Sequence, residues 1–169
     1  MPVVATMAAP VIEVMVESAA WSAEPDAAAI VRRAIRVAAA AVPDTGGEVA
    51  VVLTDDAAIR VLNRDWRKID KPTNVLSFPA PRRPAAQGVD GTPVLLGDVV
   101  IAFETTAREA ADEGKPFADH LAHLAVHGFL HLMGYDHESE PDALQMEHLE
   151  TRILAGLEVP DPYLPRDRL

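Results

Sequence analysis

The chain has 169 residues, 49% of them apolar, and a formal net charge of −11. That length suffices for one domain that buries roughly two thirds of its extended surface without staples. With no Cys, disulfides and thiolate metal sites are excluded, and the acidic total excludes a protein that grips nucleic acid over its whole surface.

The first residues lack the basic region and continuous apolar run of a secretory signal, and no stretch is long enough to span a bilayer, so a soluble, cytoplasmic protein is expected. "VIEVMVE" alternates Ile12, Val14 and Val16 with Glu13 and Glu17 and predicts a half-buried strand. "EPDAAAIVRRAIRVAAAAVPD" places Pro25 near a helix start, with Ile30, Ala34, Val37 and Ala41 at helical spacing. "EVAVVLT" is a second strand, and "DDAAIRVLNRDW" a second helix that buries Ile59, Leu62 and Trp66. "NVLSFP" is a short strand stopped by Pro79, and residues 80–93, with three prolines and two glycines, form a loop between strands and the segment most prone to move. "VLLGDVVIAF" returns as a strand in which Gly97 marks a bulge or a close backbone approach. A helix follows from about Glu104 to Gly114, then a histidine-rich helix after Pro116, then a last helix capped by Ser139 and Asp142. Residues 1–10 and 158–169 are expected to be flexible ends. The interleaving predicts an α+β class: one domain over 1–169, a small mixed four-stranded sheet packed against about five helices.

Five of the six histidines fall within "HLAHLAVHGFLHLMGYDH", residues 120–137. Positions i and i+4 share a helix face, so His127 and His131 project side by side. Gly134 supplies the left-handed residue that ends the helix, and the chain beyond it can return His137 as a third imidazole. The pattern H-x-x-x-H-x-x-G-x-x-H matches the zincin-like metzincin cage except that Gly128 stands where those proteases carry their general-base Glu. Upstream on the same stripe, His120 and His123 read either as residues that orient a ligand or touch substrate, or as packing. Three neutral imidazoles leave a zinc ion its full charge and an open position, where a bound water can ionise near neutral pH.

Charge is segregated. Residues 60–83 hold seven basic residues, among them Arg60, Arg64, Arg67 and Lys71, against only Asp65 and Asp70. One basic strip on an acidic body suggests a localised anionic partner, or a solvated helix face.

Together "HGFLHLMGYDH", "WRKIDKPTNVLSFP", "LLGDVVIA" and the late "DPY" resemble the YbeY family of bacterial rRNA maturation factors. The resemblance covers most of the chain, although the segment upstream of residue 11 and the loop from Arg82 to Pro93 match no motif. It implies a zinc-dependent, single-strand-specific endoribonuclease acting in small-subunit rRNA maturation and ribosome quality control. His127, His131 and His137 match the family's zinc ligands, one Zn2+ per chain, and Arg67 matches the arginine ahead of "DKPTNVLSF". Arg67 is then the candidate to share charge developing on phosphate, because a guanidinium offers paired planar donors. Arg60, Arg64 and Lys71 are candidate RNA contacts. Asn74 and Ser77 either touch RNA at the cleft edge or fix the loop and strand after Lys71, and His123, Asp98 and Asp136 are candidate orienters of the ligand imidazoles. The implied partners are single-stranded RNA, specifically small-subunit rRNA, and a ribosomal protein or ribosome-assembly GTPase, with neither membrane nor DNA. Two rival readings are a ribosome-associated binding module with structural zinc, closed by His123, Asp136 or Glu138, and a zincin-like metallopeptidase, which Gly128 argues against.

Overall fold

The computed structural model describes residues 9–81 and 94–164. Most of the expected flexible start, the loop over 82–93 with Arg82 and Arg83, and residues 165–169 lie outside the described residues. Four strands, β1 (Val11–Val16), β2 (Glu48–Thr54), β3 (Val75–Pro79) and β4 (Leu95–Ala102), form one sheet in the order β1-β2-β4-β3. β1, β2 and β4 run parallel, and β3 pairs antiparallel to β4, so the sheet is mixed as the pattern predicts. The helices are α1 (Ala27–Ala40), α2 (Asp56–Arg67), α3 (Phe103–Asp112), α4 (Phe117–Leu132) and α5 (Glu140–Gly156). A short 3-10 turn at Ala19–Ala23, not anticipated, seats Trp21, whose indole N–H donates to Thr54 O at 2.8 Å. No helix among the described residues is long and apolar enough to cross a membrane.

β alternation divides the core. Val49, Val51, Leu53, Val99 and Ile101 face α1 and α4 and join the main core with Phe129, Leu130, Ile153 and Leu154. Leu76, Val100 and Ala102 face the other way, onto Ile59 of α2. α2 covers only part of that second face, which corrects the expectation for Trp66: the residue is 69% exposed, its ring edge-on to Phe78. The inner position goes instead to Asn63, whose amide donates to Lys71 O at 2.9 Å and ties down the return loop. The buried stripe of α1 is likewise rotated, to Ala27, Val31, Ala34, Ile35 and Ala38, because this helix packs against β1, α4 and α5. Ile30 and Val37 flank that stripe, and Ala41 is exposed.

Two glycines set how closely the layers meet. Gly97 has φ +137° and sits where the β2–β4 register skips a residue, so it is the bulge that the sequence suggests. A Cβ on Gly128 would lie 2.7 Å from Val99 Cγ1 and 3.2 Å from both Ser77 Oγ and Val75 Cγ2. Helix α4 therefore approaches β3 and β4 at a distance only glycine permits, and the Ser77 hydroxyl fastens the contact by donating to Gly128 O at 2.9 Å.

Candidate metal centre and its cleft

α4 is apolar nearly all round, as a helix buried between a sheet and three other helices must be. Its one polar stripe, His120, His123, His127 and His131, floors a cleft of about 730 Å³. The helix ends as the sequence predicts: Gly134 has φ +95°, and Tyr135 N–H reaches back to Leu130 O at 3.1 Å in a Schellman-type closure. That turn carries His137 over the last turn of the helix.

Ring nitrogens of His127, His131 and His137 lie within 4.8 Å of one another. His127 Nε2 and His131 Nε2 are 3.0 Å apart, close to the roughly 3.3 Å expected of two nitrogens on one tetrahedral zinc. The donor set fits a divalent cation of borderline softness, and among the described residues no fourth carboxylate or imidazole joins these three. Burial, with the neighbouring His127 and His137, holds the His131 imidazole below its ordinary pKa, which favours the neutral form a ligand needs.

The cage rests on a residue the sequence reading missed. Glu150 of α5 is fully buried and accepts from His127 Nδ1 at 2.7 Å, from His123 Nε2 at 3.0 Å and from the Tyr163 hydroxyl. Burial alone would raise its pKa, but those hydrogen bonds and the His127 charge outweigh it and bring the carboxyl down to about 2. An ionised Glu150 requires a proton on His127 Nδ1, which leaves the Nε2 lone pair facing the cage. The Tyr163 phenol, pushed up by burial and by Glu150, stays a donor. Residues 158–164, expected to be a flexible end, are thus tied in by Tyr163 and by Val159, which packs on the core. A sequence signal for Glu150 existed: it is a lone carboxylate in the buried α5 stripe of Met146, Leu149, Ile153 and Leu154. "DPY" gave no physical hint of where Tyr163 would dock.

The remaining expectations divide. Arg67, at the end of α2, lines the same cleft and has no ion-pair partner among the described residues. His123 meets the cage through Glu150, to which its Nε2–H donates at 3.0 Å. Asn74 lines the cleft too, but its amide is committed, donating to Glu109 Oε1 at 2.8 Å and accepting from Val75 N–H at 2.6 Å. Ser77 is committed to Gly128. Arg60 and Arg64 make exposed ion pairs with Asp70 and Asp65, and with Lys71 they stand outside the cleft walls. Asp136 accepts from Glu138 N–H at 3.3 Å and shapes the turn. Asp98 is a correction: alternation along β4 turns Val99 toward α4 and Asp98 to the opposite face of the sheet, away from every histidine of the cage. Gly128 also answers the missing Glu, since α4 would have to lift off the sheet to admit any side chain there.

A larger groove, of about 1180 Å³, lies on that opposite face between α2 and the uncovered strands. Its walls are apolar, Trp66 and Phe78 among them, with Glu13, Glu17, Glu48 and Asp98 at the rim. Among the described residues it holds no cluster of three metal-ligating side chains, whereas the smaller cleft does.

The model of the endoribonuclease YbeY family matches residues 15–158. The endoribonuclease YbeY of Rhodopseudomonas palustris strain BisA53 is 59% identical over 161 residues, 94% of this chain and 93% of that one. The Nitrobacter hamburgensis protein of the same name is 56% identical over 164 residues, 96% and 86% of the two chains. A Thermotoga maritima protein solved in solution has the same fold, with a TM-score of 0.53 at 21% identity over 90% of this chain and 99% of its own.

Proposed function

The chain belongs to the endoribonuclease YbeY family, and from that premise we propose a zinc-dependent endoribonuclease specific for single strands, in which His127, His131 and His137 hold the ion. The observation that carries the proposal is the convergence of three ring nitrogens in a cleft that also presents an arginine with no ion-pair partner among the described residues. When bound, a divalent ion on three neutral imidazoles supplies Lewis acidity and lowers the pKa of a water. Glu150 holds His127 in the one tautomer that can donate to it. Arg67 contacts the phosphoryl oxygens at the scissile phosphate, where charge builds as the bond breaks, its guanidinium lining the same cleft as the three imidazoles. Arg60, Arg64 and Lys71 act at longer range, their exposed pairs with Asp70 and Asp65 being weak enough to yield to phosphate.

A closed structural site is the poorer reading, because His123 is spent on Glu150 and Asp136 on the turn. A metallopeptidase lacks the base, and position 128 has no room for one. The acidic rim of the larger groove supports docking of a basic ribosomal protein, or of a ribosome-assembly GTPase, and with it cytoplasmic action on small-subunit rRNA in maturation and quality control. Incubating the zinc-loaded protein with a single-stranded RNA, the matching duplex and an unstructured polypeptide tests the reading. Cleavage of the single strand alone is expected; cleavage of the polypeptide, or of neither RNA, contradicts it.

A further inference from the structure

The cleft runs on past the cage, two turns up α4, to a polar group that the cage does not use. Glu109 of α3 is held there by His120, whose Nε2–H donates to Oε1 at 3.0 Å, and by Asn74, whose amide donates to the same oxygen at 2.8 Å. Both lone pairs of Oε1 are therefore occupied. Oε2 has no partner among the described residues, although the side chain lines the cleft and keeps 37% of its surface exposed. His120 is 4% exposed and its Nδ1 is buried without a partner, so the histidine is sunk into the wall with one bond, and that bond fixes Glu109. One turn on, Glu113 shares the face of Glu109 and holds Lys115 Nζ at 2.7 Å on the same wall.

A carboxylate locked in orientation, ionised, and offering one free oxygen to a substrate cleft accepts donors and repels phosphate. Its lowered pKa, due first to the His120 hydrogen bond, agrees with that state. In a single-stranded RNA the donors are the 2′-hydroxyls and the base edges, and only the base edges, whose pairing faces no duplex exposes, differ between nucleotides. Guanine presents two adjacent donors, N1–H and N2–H, which the two lone pairs of Oε2 can accept, beside the O6 acceptor, which the Lys115 ammonium on the same cleft wall can meet. His120 and His127 are seven residues apart, roughly 10 Å along the helix axis, a span that sets this wall beside a nucleotide close to the cleaved bond. We infer that Glu109, positioned by His120 and Asn74 and flanked by Lys115, is a base subsite that selects guanine at one fixed position near the cut. The inference rests on the endoribonuclease reading and adds to it a sequence preference.

The test is to digest a randomised pool of single-stranded RNA with the zinc-loaded protein and count the bases around each cut. Guanine is expected at one position at about tenfold over the other bases, the scale of one good base contact. Replacing that guanine by inosine, which lacks the N2 amine, should lower cleavage several-fold with the protein unaltered. Glu109→Gln should keep its metal and lose most of the preference, since an amide offers a donor where guanine needs an acceptor. Cuts with no positional preference, a preference for another base, or the same guanine preference in Glu109→Gln would overturn the subsite alone. A metal-loaded protein that cuts none of the pool would overturn the endoribonuclease reading beneath it.

Discussion

Replacing Glu150 by Gln removes one charge and almost no volume, and it strikes the residue on which the cage depends. The carboxylate accepts three hydrogen bonds, from His127, His123 and Tyr163, and is shut off from water. A glutamine has one acceptor oxygen and must turn its NH2 toward at least one of those donors. If the NH2 faces His127, the ring relieves the clash by moving its proton from Nδ1 to Nε2, and Nε2 is then no longer a ligand. If it faces His123 or Tyr163, His127 keeps its tautomer but loses the negative charge that raises its basicity. Either way zinc affinity should fall by roughly 10–100-fold, the usual cost of a lost carboxylate behind a ligand histidine. Competition against a chromophoric chelator measures this directly, with circular dichroism of the metal-free proteins to show that both remain folded. Equal zinc affinity in a folded Glu150→Gln variant would refute the claim that α5 orients the cage.

Arg67→Ala should leave zinc content and melting temperature unchanged while single-strand cleavage drops about a hundredfold or more, and Arg67→Lys should recover little of it; normal cleavage in either variant would take Arg67 out of the chemistry. Gly128→Ala gains about 1 kcal/mol of helix propensity but forces a methyl to within 2.7 Å of Val99, an overpacking that costs roughly 1–3 kcal/mol. The expected net is a melting temperature lower by a few degrees, and a melt at or above the wild-type value would mean that α4 can retreat freely. Glu150 also has an acid signature: its folded pKa of about 2 lies below the ordinary 4.5, so its stabilisation is complete above pH 4.5 and is lost as the pH falls toward 2. Metal-free wild-type protein should therefore lose of order 3 kcal/mol more than Glu150→Gln across that window in urea titrations, and parallel losses in the two proteins would contradict the assignment.

What the chain reveals unaided is what its local spacing determines. The i, i+4 histidines and the terminating Gly134 are fixed by one helix and one turn, so His127, His131 and His137 were legible together. The strands were legible from runs of branched residues, and Gly97 from its break in such a run. Trp66 was misplaced because its burial depends on how far α2 reaches across the sheet, and α1 because which side of an alanine-rich helix is buried depends on where α4 and α5 pack. Asp98 follows strand parity, which decides its face only once Val99 is known to meet α4. Glu150 and Tyr163 come from elements distant in sequence, and only tertiary packing brings them behind His127.

The measurement that reaches the centre of this account is single-strand RNA cleavage by protein stripped of metal, then reloaded with one equivalent of zinc, run beside His131→Ala. The account predicts that the stripped chain is inactive, that one equivalent restores it, and that His131→Ala neither retains the ion nor recovers. A stripped chain that cuts RNA at the rate of the loaded one would contradict it.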